Sequence, residues 1–275
     1  MAASTIPVGQ QPVVAEGLGA RLRWGLADVL VIAKRSLLRV PRSPERLLGF
    51  TIQPVMFVLL FRYVFGGAIA TPGVSYVDFL LPGILVQSIA FGSTVTGVGI
   101  ADDLQRGITD RFRSLPMARS AVLAGRTIAD IATNIFQVVV MVIVGYAVGF
   151  RFSTSVPDVV AGLLLLMLVG FAFSWVSAII GMSVSSVEAA QQASFIWLFP
   201  LTFVSSAFVP PDMMPEPLQT FADINPFTLW VDSLRHLFVG TPIDNQLWIG
   251  LIWAVGLVVV FAPLSVRRYR RVSTK

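Results

Sequence analysis

The chain has 275 residues, 55% of them from the apolar set and 13% charged, with a net charge of +5 and no cysteine; its mean hydropathy is +0.79. Soluble domains carry roughly 25% charged residues, and a chain with about half that share cannot cover a water-facing surface. That excludes an ordinary soluble enzyme and a disordered chain, while the missing cysteines and the single His236 exclude disulfide scaffolds, thiolate metal sites and every motif that needs two histidines.

Residues 1–20 are rich in Pro, Gly, Gln and small residues and lack a positive n-region. They read as a disordered tail, not a cleaved signal peptide. Over 21–46, Leu22, Leu26, Val29, Leu30, Ala33, Leu37 and Leu38 recur at helical spacing, and the charged residues fall mostly elsewhere. The uncharged run 29–33 is too short to cross a bilayer, so the pattern predicts an amphipathic helix lying in the interface.

A hydrocarbon core of roughly 30 Å takes about 20 helical residues, and six stretches approach or exceed that length: 47–65, 79–100, 131–150, 159–182, 189–209 and 247–266. The fourth carries no charge, whereas Arg62 interrupts the first. Lying four residues before Gly66-Gly67, Arg62 can extend its long side chain toward the interface. With both termini cytoplasmic, seventeen Lys and Arg residues fall inside and two, Arg151 and Arg235, outside. This asymmetry predicts six crossings with both ends in. The high isoelectric point thus reflects membrane orientation, and no nucleic-acid partner is expected.

The predicted fold is therefore all-α. A six-span domain covers 47–266, preceded by the interfacial helix at 21–46 and followed by a basic cytoplasmic tail at 267–275. Two connecting segments stand out. In 102–116, DDLQRGITDRFRSLP, an apolar stripe of Leu104, Ile108, Phe112 and Leu115 predicts a short amphipathic helix, capped by Asp102 or Asp103 and stopped by Pro116. By spacing alone it is either a solvated connector resting on lipid or a docking lever for a soluble partner. The outer segment 210–246, with six prolines, predicts two short helices broken at Asn225-Pro226, interfacial or re-entrant, with Trp230 and Phe238 at interface depth. Asp232 and His236, at i and i+4, could pair there.

Within the spans the polar residues are neutral, among them Gln53, Gln87, Ser88, Asn134, Gln137, Gln191 and Ser205. The carboxylates Asp78, Asp130, Asp158 and Glu188 sit at span ends, which argues against an ion-coupled secondary transporter. One histidine and no nucleophile constellation argue against an intramembrane lipid-modifying enzyme. No catalytic, cofactor or metal site is expected. No GxxxxGK[ST] loop is present, so any nucleotide chemistry belongs to another chain. Gly145 and Gly149 form a GxxxG pair better suited to internal packing than to dimerisation.

Three runs carry a resemblance: YVDFLLPGILVQ at 76–87, DLQRGITDRFRSLPMARSAVLAGR at 103–126 and FVSSAFVPPDMMPEPLQTFADINPFT at 203–228. From about Lys34 to Arg271 the chain resembles the permease subunits of type-2 ABC exporters, most closely the daunorubicin-resistance type. The resemblance implies a membrane subunit that pairs with a second permease, an identical copy being the first expectation, and with two ATPase subunits holding ATP and Mg. It implies that the loop after the second span is a coupling helix. That role then falls on Asp102, Asp103, Arg106, Gly107, Asp110, Arg111, Phe112, Arg113, Leu115 and Pro116. Arg35, Arg39 and Arg42 of the interfacial helix become a second ATPase contact. The cargo it implies is an amphipathic or hydrophobic drug, antibiotic or lipid, exported across a bacterial inner membrane. The polar residues expected along its path are Gln53, Gln87, Gln191 and Ser205.

Overall fold

The computed structural model describes residues 44–69, 71, 73–107 and 119–271. The expected tail at 1–20, the interfacial helix up to residue 43 and most of the coupling segment lie outside the described residues. In chain order the described elements are α1 (Pro44–Leu60) with a π-helical turn (Phe61–Phe65), α2 (Tyr76–Gly92), α3 (Thr94–Gln105), α4 (Arg119–Val148), α5 (Val156–Gly181), α6 (Val187–Phe203), a 3-10 turn (Pro211–Met213), α7 (Glu216–Ile224), α8 (Pro226–Val239) and α9 (Gln246–Arg271). No strand occurs among the described residues.

Four helical stretches are long and apolar enough to cross a membrane: Tyr76–Gln105, Asp130–Val148, Val156–Gly181 and Gln246–Tyr269. The predicted first and fifth spans take shorter forms. The apolar part of α1 and its π turn is Thr51–Phe65, and α6 has 17 residues. The expected helix to residue 209 stops at Phe203 because its carbonyls are claimed from elsewhere. Asn225 Nδ2 donates to Leu201 O at 2.8 Å and to Val204 O at 2.7 Å, and Ser205 Oγ donates to Thr202 O at 2.6 Å. Side chains thus satisfy carbonyls that a continuing helix would have used.

Local chemistry sets the helix starts. Ser75 accepts from Asp78 N at 3.3 Å to begin α2, Ser186 accepts from Ala189 N at 3.0 Å to begin α6, and Asn225 Oδ1 accepts from Phe227 N at 3.0 Å to begin α8. Between α2 and α3 the α-helix of the second predicted span is interrupted at the single residue Ser93. There Ser93 Oγ donates to Ala90 O at 2.6 Å and Thr94 Oγ1 to Phe91 O at 2.7 Å, back-bonding of the kind that bends helices.

α5 is apolar on every side, and a helix of that kind belongs in the interior. It contacts α2, α3, α4, α6, α8 and α9. α2 is buried along nearly its whole length, while α9 turns Trp248, Ile252, Trp253 and Val259 outward. α3 and α5 meet backbone to backbone: a Cβ on Gly97 would overlap the Ser177 carbonyl, and one on Gly181 would overlap Gly97 itself. Gly145 packs beneath Leu81 of α2, whereas Gly149 takes the left-handed conformation (φ +107) that ends α4. The GxxxG pair therefore serves packing and termination within one chain.

The segment 210–246 divides into two unlike helices. α7 stays at the surface with Leu218, Phe221 and Ile224 exposed, while α8 is built into the core against α2, α5 and α9. Trp230 and Phe238, expected at interface depth, are both fully buried. Trp230 Nε1 donates to Gly250 O at 2.8 Å, and its ring meets Phe173 and Phe227 at 5.5 and 5.6 Å.

These close approaches give a first test. Gly97→Leu must push α3 off α5 and is expected to cost about 1–3 kcal/mol of stability. Gly256→Ala, where a Cβ meets nothing within 4 Å, is expected to hold or slightly raise it. Melting of the detergent-solubilised chain, followed by gel filtration, measures both.

Candidate functional site

At the end of the bundle where α3 stops, Asp102 and Asp103 lie in its last turn. The helix that starts at Thr94 runs on through them to Gln105, and the helix they were expected to cap lies outside the described residues. Gly107 then turns the chain with φ +65, a conformation open to glycine at little cost. Arg106 Nε donates to Asp102 Oδ1 at 2.7 Å. This exposed i, i+4 pair contributes only a few tenths of a kcal/mol but leaves the guanidinium at the surface. Gln105 Nε2 reaches Ser185 O at 3.2 Å, tying this turn to the α5–α6 connection. Thr96 Oγ1 hydrogen-bonds Asp130 Oδ2 and joins α3 to α4. Asp110, Arg111, Phe112, Arg113, Leu115 and Pro116 lie outside the described residues, as do Arg35, Arg39 and Arg42. The neighbouring α4 begins at Arg119, twelve residues before the predicted span start at 131. At 1.5 Å per residue, such an extension carries the helix roughly 18 Å further.

Midway along the bundle a small cleft opens between α1, α2 and α4, lined by Gln53, Phe57, Gln87, Ser88, Phe91 and Gln137, among others. It brings together two of the four expected path residues, Gln53 and Gln87. Gln53 is exposed at the side of α1, and Gln87 is 3% exposed. Gln191 lies elsewhere, exposed on α6. Ser205 is fully buried beyond the end of α6, where it accepts from Ala207 N at 3.3 Å as well as capping Thr202. Among the described residues, no acidic or basic side chain lines the cleft.

At the opposite end lies a network that sequence reasoning missed. Arg235 is 4% exposed in α8. Its Nε donates to Phe79 O in α2 at 2.9 Å, its Nη1 to Asp232 Oδ1 at 2.7 Å and its Nη2 to Ser206 O. The guanidinium carbon sits 3.5 Å from the centroid of the Phe79 ring. Ser206 Oγ also donates to Asp232 Oδ1, at 2.8 Å. Asp232 is thereby committed to Arg235 and Ser206, and His236 instead places Nδ1 2.7 Å from Thr241 O. The Asp232–Arg235 spacing of three was the available sequence signal, masked by the equally plausible spacing of four to His236. Arg62, in the π-helical turn, is half-buried and encloses its Nε without a partner.

Four helical stretches long and apolar enough to cross a membrane define a polytopic membrane protein. Within that class the chain belongs to the ABC-2 type transporter family, which matches residues 27–239. It is 35% identical over 269 residues to the daunorubicin resistance ABC transporter permease protein DrrB1 of Streptomyces coeruleorubidus, covering 97% of this chain and 95% of that relative. It is 25% identical over 260 residues to the "Probable doxorubicin resistance ABC transporter permease protein DrrC" of Mycobacterium tuberculosis, covering 92% and 91%. The chain is thus an integral membrane permease subunit of an ABC transporter, a transport component of a family that works with an ABC ATPase.

The Arg235 network gives a second test. Arg235→Ala leaves the Phe79 and Ser206 carbonyls and Asp232 without their donor, at an expected cost of about 1–3 kcal/mol for each buried group left unpaired. Arg235→Lys cannot offer the planar fork that serves several acceptors together, so partial loss is expected. Thermal inactivation of the solubilised protein distinguishes these outcomes from an unchanged midpoint.

Proposed function

We propose that this chain is the membrane half of an ATP-driven exporter that moves an amphipathic or hydrophobic compound, a drug or antibiotic in the first instance, out of the cytoplasm or the inner leaflet. The observation that carries the reading is similarity along nearly the whole chain to a permease whose name states daunorubicin resistance. In this reading the chain crosses the bacterial cell membrane six times with both termini cytoplasmic, α1 and α6 supplying the two shorter crossings. It works as a pair of permease subunits, with two ATPase subunits carrying ATP and Mg.

The coupling contact begins at Asp102, Asp103, Arg106 and Gly107 and continues through Asp110, Arg111, Phe112, Arg113, Leu115 and Pro116. Apolar anchors supply affinity and arginines supply orientation. Arg35, Arg39 and Arg42 form the second contact. Movement of the ATPase at that turn reaches α3 directly. Past Ser93 it reaches the part of α2 that walls the cleft, a short rigid path of the kind used by helix-shift transitions. Gln53 and Gln87 mark the cargo path there; Gln191 and Ser205, expected along the same path, do not line this cleft.

The test is co-purification of the full chain with its ATPase, followed by transport in reconstituted vesicles. Phe112→Ala and Arg113→Glu are each expected to lower recovery of the ATPase at least about tenfold, the effect of losing one anchor of roughly 1.4 kcal/mol. Transport should require nucleotide and survive an ionophore. Full pairing and transport by both variants would overturn the lever assignment, and nucleotide-free transport would overturn the exporter reading.

A further inference from the structure

The predicted basic tail begins inside a helix, because α9 continues to Arg271. Its last turns have two unlike faces. On one, Tyr269 is 5% exposed and packs in a small core with Ile100 of α3 and with Trp175, Ala178 and Met182 at the end of α5. On the same side Ser265 Oγ donates to Trp175 O at 3.0 Å. The end of α9 is thereby fixed to the unit that carries Asp102, Arg106 and Gly107.

The other face is a stripe. Val260, Leu264, Arg267 and Arg271 follow at spacings of four, three and four, so they share one side of the helix. All four are exposed, and Arg268 is exposed beside them. The apolar part runs back through exposed Val259 and Ile252, along a helix long and apolar enough to cross a membrane. That face meets hydrocarbon, and the arginines stand where it ends. Cα–Cβ bonds of a helix tilt toward its N-terminus, so the arginine stems leave this helix in the direction of the headgroup layer. Among the described residues none of the three guanidinium groups has an acidic partner. Membrane orientation asks only for positive charge on this side. It does not ask that the charges continue the lipid-facing stripe, with each guanidinium free to take a phosphate.

We infer that the end of α9 is a binding site for an anionic phospholipid, whose phosphate lies among Arg267, Arg268 and Arg271 and whose chains run along Leu264 and Val260. A choline headgroup brings its own cation and gains less from the three arginines. Because Tyr269 and Ser265 hold this end of α9 to α3 and α5, the bound lipid also ties the turn at Gly107 to the membrane surface. The site does not rest on the exporter reading, which says only that the leaflet is the cytoplasmic one.

The chain has no cysteine, so a single introduced thiol reports locally. Leu264→Cys puts a bimane label on the stripe one turn before the arginines. Ile252→Cys puts one on the same exposed face, roughly 18 Å further back along the helix. Each labelled full chain enters phosphatidylcholine nanodiscs doped with nitroxide-labelled phosphatidylglycerol or, in the matched sample, nitroxide-labelled phosphatidylcholine. One arginine contact of about 1 kcal/mol corresponds to about fivefold in local occupancy. Quenching at position 264 should therefore favour the anionic lipid by at least about that factor, and quenching at 252 should favour neither. In the Arg267→Gln/Arg268→Gln/Arg271→Gln variant the preference at 264 should fall to about one. Its melting point in neutral detergent should stay unchanged, since the three side chains support nothing inside the bundle. Equal quenching by both lipids at 264 overturns the proposal, as does a preference that survives the triple variant or one equally large at 252. A surface meant for the ATPase instead would show no lipid preference while the triple variant lost ATPase recovery, which also overturns it. Quenching needs neither ATPase nor nucleotide, so failure of the exporter reading leaves this result standing.

Discussion

In hydrocarbon, a backbone or side-chain polar group has no water to turn to, and each one left alone costs several kcal/mol. The bundle answers this requirement in three ways. Helical hydroxyls bond back to carbonyls one turn earlier. Helix ends are closed by side chains from other segments, as Asn225 does for α6. Where a charge is buried, it is surrounded by acceptors on several elements, as Arg235 is by Phe79, Asp232 and Ser206.

The last of these explains how a helix of the segment expected to be interfacial or re-entrant is held in the core. Burying Arg235 would be costly without partners, and those partners come from α2 and from the unwound stretch after α6. The same contacts that satisfy the cation therefore tie α8 to α2 and to the stretch after α6. Once α8 is inside, Trp230 and Phe238 have nowhere to be but the core. At the opposite end the Asp102–Arg106 ion pair is exposed and Gly107 takes the left-handed conformation.

α2 and α3 link these regions. The interruption between them at Ser93 lies next to Phe91 and Gly92, which line the cleft.

Composition and periodicity by themselves determined that this is a helical membrane protein, where its long apolar stretches lie, that it carries no nucleotide loop, and that Asn225-Pro226 breaks one segment into two helices. Those properties depend on local sequence: transfer free energy sums residue by residue, and caps act within a turn. Tertiary structure alone decided that α3 runs through Asp102 and Asp103, that α6 ends at Phe203, and that Asp232 chooses Arg235 over His236. It also decided that Gln53 and Gln87 share a cleft while Gln191 and Ser205 stand apart. Each of these turns on which distant group arrives to satisfy a carbonyl or a charge, and a partner well over a hundred residues away, as Phe79 is from Arg235, leaves no mark in the spacing of either neighbourhood.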